Sequence, residues 1–139
     1  MFLYSNIAEE PVSLPIPFQL PPRKPSNTAS MRAALDTTLE MWSAAAKPVI
    51  VVGVKVRMAE AKEAIVKLAD AAGCAVAVMP DAKGMFPEDH TNFIGTYWGP
   101  VSSSGAGETV ESADCYIFLG PRFNDYNTTV RCGRACSFE

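Results

Sequence analysis

The sequence predicts an α/β fold in which helices cover both faces of an open, mostly parallel sheet. Two apolar runs, residues 48–54 and 74–79, lack alternation of polar and apolar residues, which is typical of strands buried on both faces. A segment of helical periodicity separates them. A third apolar run, residues 114–119, follows another helical segment, and such alternation of strands and helices is typical of α/β folds.

The first helix is predicted to begin at Ser26, Asn27 or Thr28, because each side chain can accept a hydrogen bond from a first-turn N–H. A stripe at helical spacing follows and consists of Met31, Leu35, Thr38, Leu39 and Trp42. Pro48 ends this helix, since the residue before a proline avoids the α region. We expect Trp42 to pack in the core rather than against a cofactor.

A second helix is predicted over residues 58–72, and Gly73 suits the left-handed position after it. Its inner face is expected to consist of Ala61, Ile65, Leu68 and Ala72. A loop then covers residues 80–92, and a short strand covers residues 93–97. Residues 101–113 contain a further helix, with Val110 and Ala113 facing inward.

Composition narrows the function classes. The chain has 139 residues, 48% of them hydrophobic, and a net charge of −3, so it carries no basic surface for nucleic acid or an anionic membrane. No apolar run approaches the roughly 18–20 residues that span a bilayer. Four scattered cysteines indicate a reducing compartment, and we expect a cytoplasmic protein. A single histidine excludes multi-histidine metal sites.

Three segments are expected: a linker at 1–27, a globular domain at 28–130 and a tail at 131–139. Six of the eleven prolines lie in the first 25 residues, which favours extended or polyproline II backbone. This segment is interpreted as an interdomain linker. A proline-rich ligand for a recognition module remains an alternative, although Ile16, Phe18 and Leu20 alternate as in a segment packed on its own domain.

Two glycine patterns are candidates for dinucleotide sites. After the first strand, Gly53 is followed by Val54, Lys55, Val56 and Arg57, so bulky side chains stand where a pyrophosphate needs bare backbone. Gly105-Ala106-Gly107 does not follow a strand and is interpreted as the entry to a helix. The sequence therefore supports no dinucleotide site.

The loop after the second strand holds the densest polar cluster. It contains Asp81, Lys83, Gly84, Glu88, Asp89 and His90. Loops at the carboxyl ends of strands carry the ligand sites of open α/β sheets, and a carboxylate beside a histidine could transfer a proton. A solvated loop in which Gly84 supplies a turn is the favoured interpretation, because no nucleophile accompanies the cluster.

The cysteines and asparagines predict little chemistry. Cys74 and Cys115 fall within predicted strands and should behave as small apolar residues. Cys132 and Cys136 provide half of a zinc site, without a second pair or a histidine nearby. Asn124 and Asn127 fall in a polar loop after the fourth strand. Asn127-Thr128-Thr129 matches a glycosylation sequon, interpreted as coincidental in a cytoplasmic protein.

Four stretches together resemble the central domain of the thiamine-diphosphate-dependent pyruvate decarboxylases of plants and fungi. They are KPVIVVG (47–53), LADAAGCAVAVMPDAKGMFPEDH (68–90), FIGTYWGPVS (93–102) and VESADCYIFLGPRFNDYN (110–127). The resemblance implies a Rossmann-like domain with sheet order 3-2-1-4-5-6. Two departures are Thr91, where the family usually has proline, and Val54-Lys55, where fungal members carry a regulatory cysteine.

The family implies a three-domain enzyme that decarboxylates 2-oxo acids to aldehydes with thiamine diphosphate and Mg²⁺. The activating glutamate and the G-D-G magnesium motif belong to the other two domains, and no G-D-G triplet occurs here. The resemblance therefore implies no catalytic, cofactor-binding or metal-binding residue on this chain. Its partners would be other decarboxylase subunits or domains.

The sequence favours a C-terminally truncated central domain with a role in structure or assembly and no independent catalysis. One alternative is a stand-alone nucleotide-binding α/β domain. Another is a module that associates with full-length decarboxylase subunits. Because the strand at 114–119 would lack its later neighbours, we expect an apolar sheet edge, low stability and self-association.

Overall fold

The computed structural model describes residues 26–128, together with Pro11 and Ser13. Most of the predicted linker at 1–27 and all of the tail at 131–139, with Cys132 and Cys136, lie outside the described residues. The elements follow in the order α1 (Thr28–Ala44), β1 (Pro48–Val52), α2 (Lys55–Met58), α3 (Lys62–Ala72), β2 (Ala75–Val78), a 3₁₀ turn (Pro80–Ala82), β3 (Phe93–Thr96), α4 (Ala106–Glu111) and β4 (Cys115–Leu119).

The described strands form one parallel sheet in the order β3-β2-β1-β4. β1 lies centrally, with Ile50 opposite Val76 of β2 and Ile117 of β4. The chain moves from β1 to β2 in one direction and from β3 to β4 in the other. Right-handed crossovers therefore place α3 and α4 on opposite faces of the sheet. The predicted α/β class is confirmed, and the observed order agrees with the first four positions expected from the resemblance.

The core is centred on the two inner strands. Val49–Val52 of β1 and Val76–Val78 of β2 are buried, as expected for non-alternating runs between two helical layers. Ile65 and Ala69 cover them from α3, and Val110 covers them from α4. Phe86, from the loop after β2, is among the largest fully buried side chains and anchors that loop to the core.

The apolar stripe of α1 is exposed over most of its length. Met31, Leu35 and Leu39 are 49%, 54% and 62% exposed, whereas Trp42 is half-buried and packs against the core as expected. The physical reason is topological, since α1 precedes the sheet and is not a crossover between two strands. Its start is as predicted, because the Asn27 side chain accepts hydrogen bonds from the N–H groups of Ala29 and Ser30.

The helix predicted over residues 58–72 begins later, because α3 starts at Lys62 and Met58 is the last residue of the separate α2. Glu60, at φ 52°, interrupts the helical backbone between them. Leu68, predicted to face inward, is 43% exposed, while Ala69 is fully buried in its place. Gly73 is left-handed at φ 60° and ends α3 as predicted. Within the described residues, no helix combines the length and apolar character needed to cross a membrane.

Candidate functional site

The carboxyl ends of four parallel strands meet at one edge of the sheet, and four loops leave from it. In open α/β sheets, ligands bind there at the point where the strand order reverses. In this sheet β2 and β3 lie on one side of β1 and β4 lies on the other, so that point is between β1 and β4. The crevice between the ends of β1 and β4 is therefore the first place to look for a ligand site.

That crevice is filled by the chain itself. A Cβ placed on Gly53, directly after β1, would lie 2.5 Å from the carbonyl oxygen of Gly120 and 2.5 Å from Cα of Pro121. The Gly53 N–H donates to the Leu119 carbonyl at 2.8 Å, and the Lys55 N–H donates to the Gly120 carbonyl at 3.0 Å. The glycine after β1 thus admits another stretch of backbone, and the first amide of α2 already has an internal acceptor.

The second glycine pattern is also structural. Gly105 is left-handed at φ 80° and directly precedes α4, which confirms that Gly105-Ala106-Gly107 is a helix entry. The neighbouring hydroxyls are engaged within the chain. The Ser102 hydroxyl donates to the Gly99 carbonyl at 2.6 Å and accepts the Trp98 N–H at 2.8 Å.

The polar loop after β2 does not bring its acidic residues to its histidine. His90 Nε2 lies 3.1 Å from Oδ1 of Asp70, which belongs to α3 rather than to the loop. His90 Nδ1 accepts the Asn92 N–H at 3.2 Å, so the proton of the neutral ring is on Nε2 and donates to Asp70. The Phe86 ring packs edge-on at 4.9 Å. His90 therefore joins the loop to α3.

The remaining loop residues mostly face solvent. Lys83, Glu88 and Asp89 are exposed. Gly84 is left-handed at φ 78°, as predicted for a turn, and its carbonyl accepts a hydrogen bond from Lys62 Nζ at 3.2 Å. The loop thus has the solvated character favoured from the sequence.

Asp81 and Asn127 form a polar pair that the sequence did not predict. Asn127 follows β4 by several residues, yet it is only 2% exposed. Its Nδ2 donates to Asp81 Oδ2 at 2.7 Å and to the Arg122 carbonyl at 3.0 Å. Oδ1 of Asp81 and Oδ1 of Asn127 are buried and have no hydrogen-bond partner among the described residues.

This pair holds the loop after β4 across the carboxyl edge of the sheet. The carbonyl of Tyr126, the residue before Asn127, accepts a hydrogen bond from Trp98 Nε1 at 2.7 Å. The Asn127 N–H donates to Asn124 Oδ1 at 2.9 Å, and this bond closes a turn over residues 124–127. Since Nδ2 of Asn127 is buried and already donates twice, the sequon beginning there presents no free amide for a glycan in this fold.

Thiol and metal chemistry gain little support in the described part of the chain. Cys74 is buried, and this burial raises the pKa of its thiol above the ordinary value, so the reactive thiolate is disfavoured. Cys115 is half-buried at the start of β4. Within residues 26–128, no three His, Cys, Asp or Glu side chains come together as a metal site.

The comparisons with known proteins agree with this fold. Residues 35–136 match the family described as "Thiamine pyrophosphate enzyme, central domain". The chain is 57% identical over 116 residues to pyruvate decarboxylase 3 of Arabidopsis thaliana, an alignment covering 84% of this chain and 19% of that relative. It is 55% identical over 114 residues to pyruvate decarboxylase 1 of Nicotiana tabacum, covering 82% of this chain and 27% of the relative.

A third relative, pyruvate decarboxylase 2 of Pisum sativum, is 55% identical over 114 residues, covering 82% of this chain and 28% of the relative. The chain thus spans between about a fifth and about three tenths of these relatives' lengths. The matched region contains every described strand, the filled crevice and the Asp81–Asn127 pair. The chain belongs to the central-domain family of thiamine pyrophosphate enzymes and is similar, within it, to the plant pyruvate decarboxylases.

Proposed function

We propose that the chain acts as the structural central domain of a pyruvate decarboxylase and contributes no catalytic residue of its own. The observation that carries this proposal is the contact of Gly53 with the Gly120-Pro121 backbone. It uses the usual ligand crevice of an open α/β sheet for internal packing. Identity of about 55% with three plant pyruvate decarboxylases supports the choice of enzyme family.

The whole enzyme in this proposal releases carbon dioxide from a 2-oxo acid and forms an aldehyde. Thiamine diphosphate would supply the electron sink for that reaction, with Mg²⁺ on its diphosphate. The described residues do not fit this cofactor. They offer no cluster of acidic side chains for a divalent cation, and the Lys55 amide that could meet a phosphate is bound to Gly120. Cofactor chemistry is therefore assigned to other domains.

The partners in this proposal are other decarboxylase domains or subunits, in a cytoplasmic homo-oligomer. Two of the apolar areas on the described surface suit a domain that packs against further protein. One lies along α1 and includes Met31, Leu35 and Leu39, and the other includes Phe123 and Tyr126, which are 61% and 75% exposed. A free-standing nucleotide-binding domain is disfavoured, because its ligand would have to displace Gly120 and Pro121.

A domain exchange tests the proposal. Residues 35–128 of this chain would replace the matching segment of the Arabidopsis relative, and pyruvate consumption would be followed with thiamine diphosphate and Mg²⁺. We expect the chimera to keep at least about a tenth of the parent's kcat. A scaffold that keeps the catalytic groups of the other domains in place should raise the activation free energy of the reaction by less than ~1.4 kcal/mol, which corresponds to a tenfold change in rate. The same exchange carrying Gly53→Val is the matched control and should lose assembly and activity together.

The isolated chain provides the second arm. We expect no carbon dioxide release from pyruvate above the background of thiamine diphosphate and Mg²⁺ alone. Turnover by the purified chain would contradict the assignment of catalysis to other domains. A chimera that folds and assembles but has no activity would contradict the scaffold role, because the exchanged segment would then contribute something to catalysis besides packing.

A further inference from the structure

His90 is a mostly buried titratable side chain that has no part in the proposed function. Its side chain is 15% exposed and contacts both Asp70 of α3 and the buried ring of Phe86. Histidine is the side chain type that ordinarily changes charge between about pH 5 and about pH 8. A proton added to this ring changes what its nitrogens can bind.

The neutral ring uses one nitrogen as a donor and the other as an acceptor. Nε2 donates to Asp70 Oδ1 at 3.1 Å, and Nδ1 accepts the Asn92 N–H at 3.2 Å. The second bond joins a side chain to the N–H two residues later. Asparagine and aspartate side chains commonly close turns in this way. In this turn, a nitrogen that can be protonated takes the place of their oxygen.

Asn92 lies where the loop after β2 joins the sheet. Its Nδ2 donates to the Ala69 carbonyl of α3 at 3.1 Å, and its own carbonyl accepts the Val76 N–H of β2 at 2.8 Å. The His90 carbonyl accepts the N–H of Phe93, the first residue of β3, at 2.9 Å. The turn at residues 90–92 therefore contacts α3, β2 and β3 together.

The charged groups near the ring come from α3 and from the loop itself, since β2 and β3 contain none. Asp70, which contacts the ring, is 64% exposed. Lys67 is exposed about one turn before Asp70 on α3, and Glu88 and Asp89 are exposed in the loop. A proton on His90 thus adds a solvent-screened attraction to Asp70.

We propose that protonation of His90 opens the turn at residues 90–92 while the ring stays on Asp70, so that this turn is a proton-sensitive hinge. The protonated ring carries an N–H at both nitrogens. At Nδ1 it faces the Asn92 N–H across 3.2 Å, donor against donor, so the backbone has to turn away. At Nε2 the contact with Asp70 becomes an ion pair and holds the side chain on α3. The proton comes from solvent and returns to it, so no other reactant is needed.

Two substitutions separate the roles of the two ring nitrogens. His90→Asn places an amide oxygen near the position of Nδ1, where it accepts the Asn92 N–H at every pH, as asparagine does in such turns. His90→Gln places its amide near the position of Nε2, where it reaches Asp70 but gives the Asn92 N–H no acceptor. Neither amide takes up a proton between about pH 5 and about pH 8.

NMR of the isotope-labelled full chain tests the hinge at about pH 8 and about pH 5. Spectra of the ring nitrogens report the protonation of His90, and hydrogen exchange reports the protection of each backbone amide. Protection factors are corrected for the intrinsic effect of pH on exchange. We expect the protection factor of the Asn92 amide to fall at least about tenfold at the lower pH in the wild-type chain. It should stay constant in His90→Asn and be low at both pH values in His90→Gln.

The amides of Val49–Val52 in β1 are the internal control, because these residues lie in the core. An equal loss of protection in β1 and at Asn92 would mean that the whole domain opens, which overturns a local hinge. A protonated ring beside an Asn92 amide that keeps its protection also overturns the proposal, as does a ring that stays neutral down to about pH 5. The same fall in His90→Asn would assign the change to another titratable group and overturn the role of His90.

Discussion

Gly53 lies so close to Gly120 that a single added methyl group would penetrate the carbonyl of the facing residue. The 2.5 Å approach involves backbone on both sides, so neither partner can move as a flexible side chain would. The two glycines lie directly after β1 and β4, on either side of the sheet's switch point. Their contact closes the place where related folds hold a ligand.

Gly53→Ala should lower the free energy of unfolding by about 1–3 kcal/mol, the usual cost of overpacking. Gly84 is the matched control, because it is left-handed at φ +78° with no atom within 4 Å of an added Cβ. Asparagine tolerates left-handed backbone better than alanine does. Urea unfolding should therefore rank Gly84→Asn above Gly84→Ala in stability, but Gly53→Asn below Gly53→Ala. The same ranking at both positions would show that the close contact at Gly53 does not control stability.

The strands could be predicted because a strand that is buried on both faces needs consecutive apolar residues. Val49–Val52 is apolar without interruption, and only a strand covered on both faces requires that. The stripe of α1 shows the limit of such patterns. Periodicity identifies an apolar face, but it does not say whether the topology places anything against that face. Leu35 satisfies the pattern and is still 54% exposed.

The site residues were harder to predict because their partners are distant in sequence. Asp81 and Asn127 are 46 residues apart, and His90 lies 20 residues from Asp70. No local spacing joins such pairs, since the sheet order alone brings their loops together. Asn127 in particular resembles any loop asparagine, and nothing beside it in the sequence marks it as buried.

Asn127→Asp should destabilise the fold by about 3 kcal/mol at pH 7. The substitution replaces a donor by a second carboxylate oxygen facing Asp81, where the present separation of the two atoms is 2.7 Å. A buried charge without a partner lowers the free energy of unfolding by about 3–5 kcal/mol. The two carboxylates at positions 81 and 127 would be only partly screened from each other by solvent. Chemical unfolding measures the loss. Part of it should return on acidification, once one of the two carboxyl groups takes up a proton.

The double variant Asp81→Asn with Asn127→Asp provides the control. It restores one donor and one acceptor between positions 81 and 127, so it should recover part of the stability that Asn127→Asp loses. The recovery is incomplete, because the donor to the Arg122 carbonyl is not replaced. Additive effects of the two substitutions would contradict a direct contact between these side chains.

Asp114 should make stability depend on pH below about its ordinary pKa. The N–H groups of Ala46 and then Lys47 hold the pKa of its carboxyl below the usual 3.8. A carboxyl whose pKa is lower in the folded state stabilises the fold at pH values above 3.8, and this contribution disappears as pH falls through the folded value. Asp114→Asn should therefore lower Tm at pH 5–8.

The Tm difference between wild type and Asp114→Asn should shrink steadily as the pH is lowered past 3.8. Asp36→Asn, on the exposed part of α1, is the matched control and should leave Tm nearly unchanged over the whole range. If the Tm difference between wild type and Asp114→Asn stayed constant down to the lowest pH measured, the charge of the Asp114 carboxylate would contribute nothing to stability at the start of β1.

The chain should not bind NAD, FAD or ADP with a dissociation constant below about 10 μM, which corresponds to about −7 kcal/mol. A pyrophosphate needs bare backbone and free amides at the start of a helix. Here the Lys55 amide is bound to the Gly120 carbonyl, and Pro121 lies against Gly53. Calorimetric titration of the full chain with each nucleotide measures this directly, with a dinucleotide-binding dehydrogenase as the positive control. Saturable binding below 10 μM would require Gly120 and Pro121 to leave the crevice, and it would favour the nucleotide-binding alternative over the scaffold.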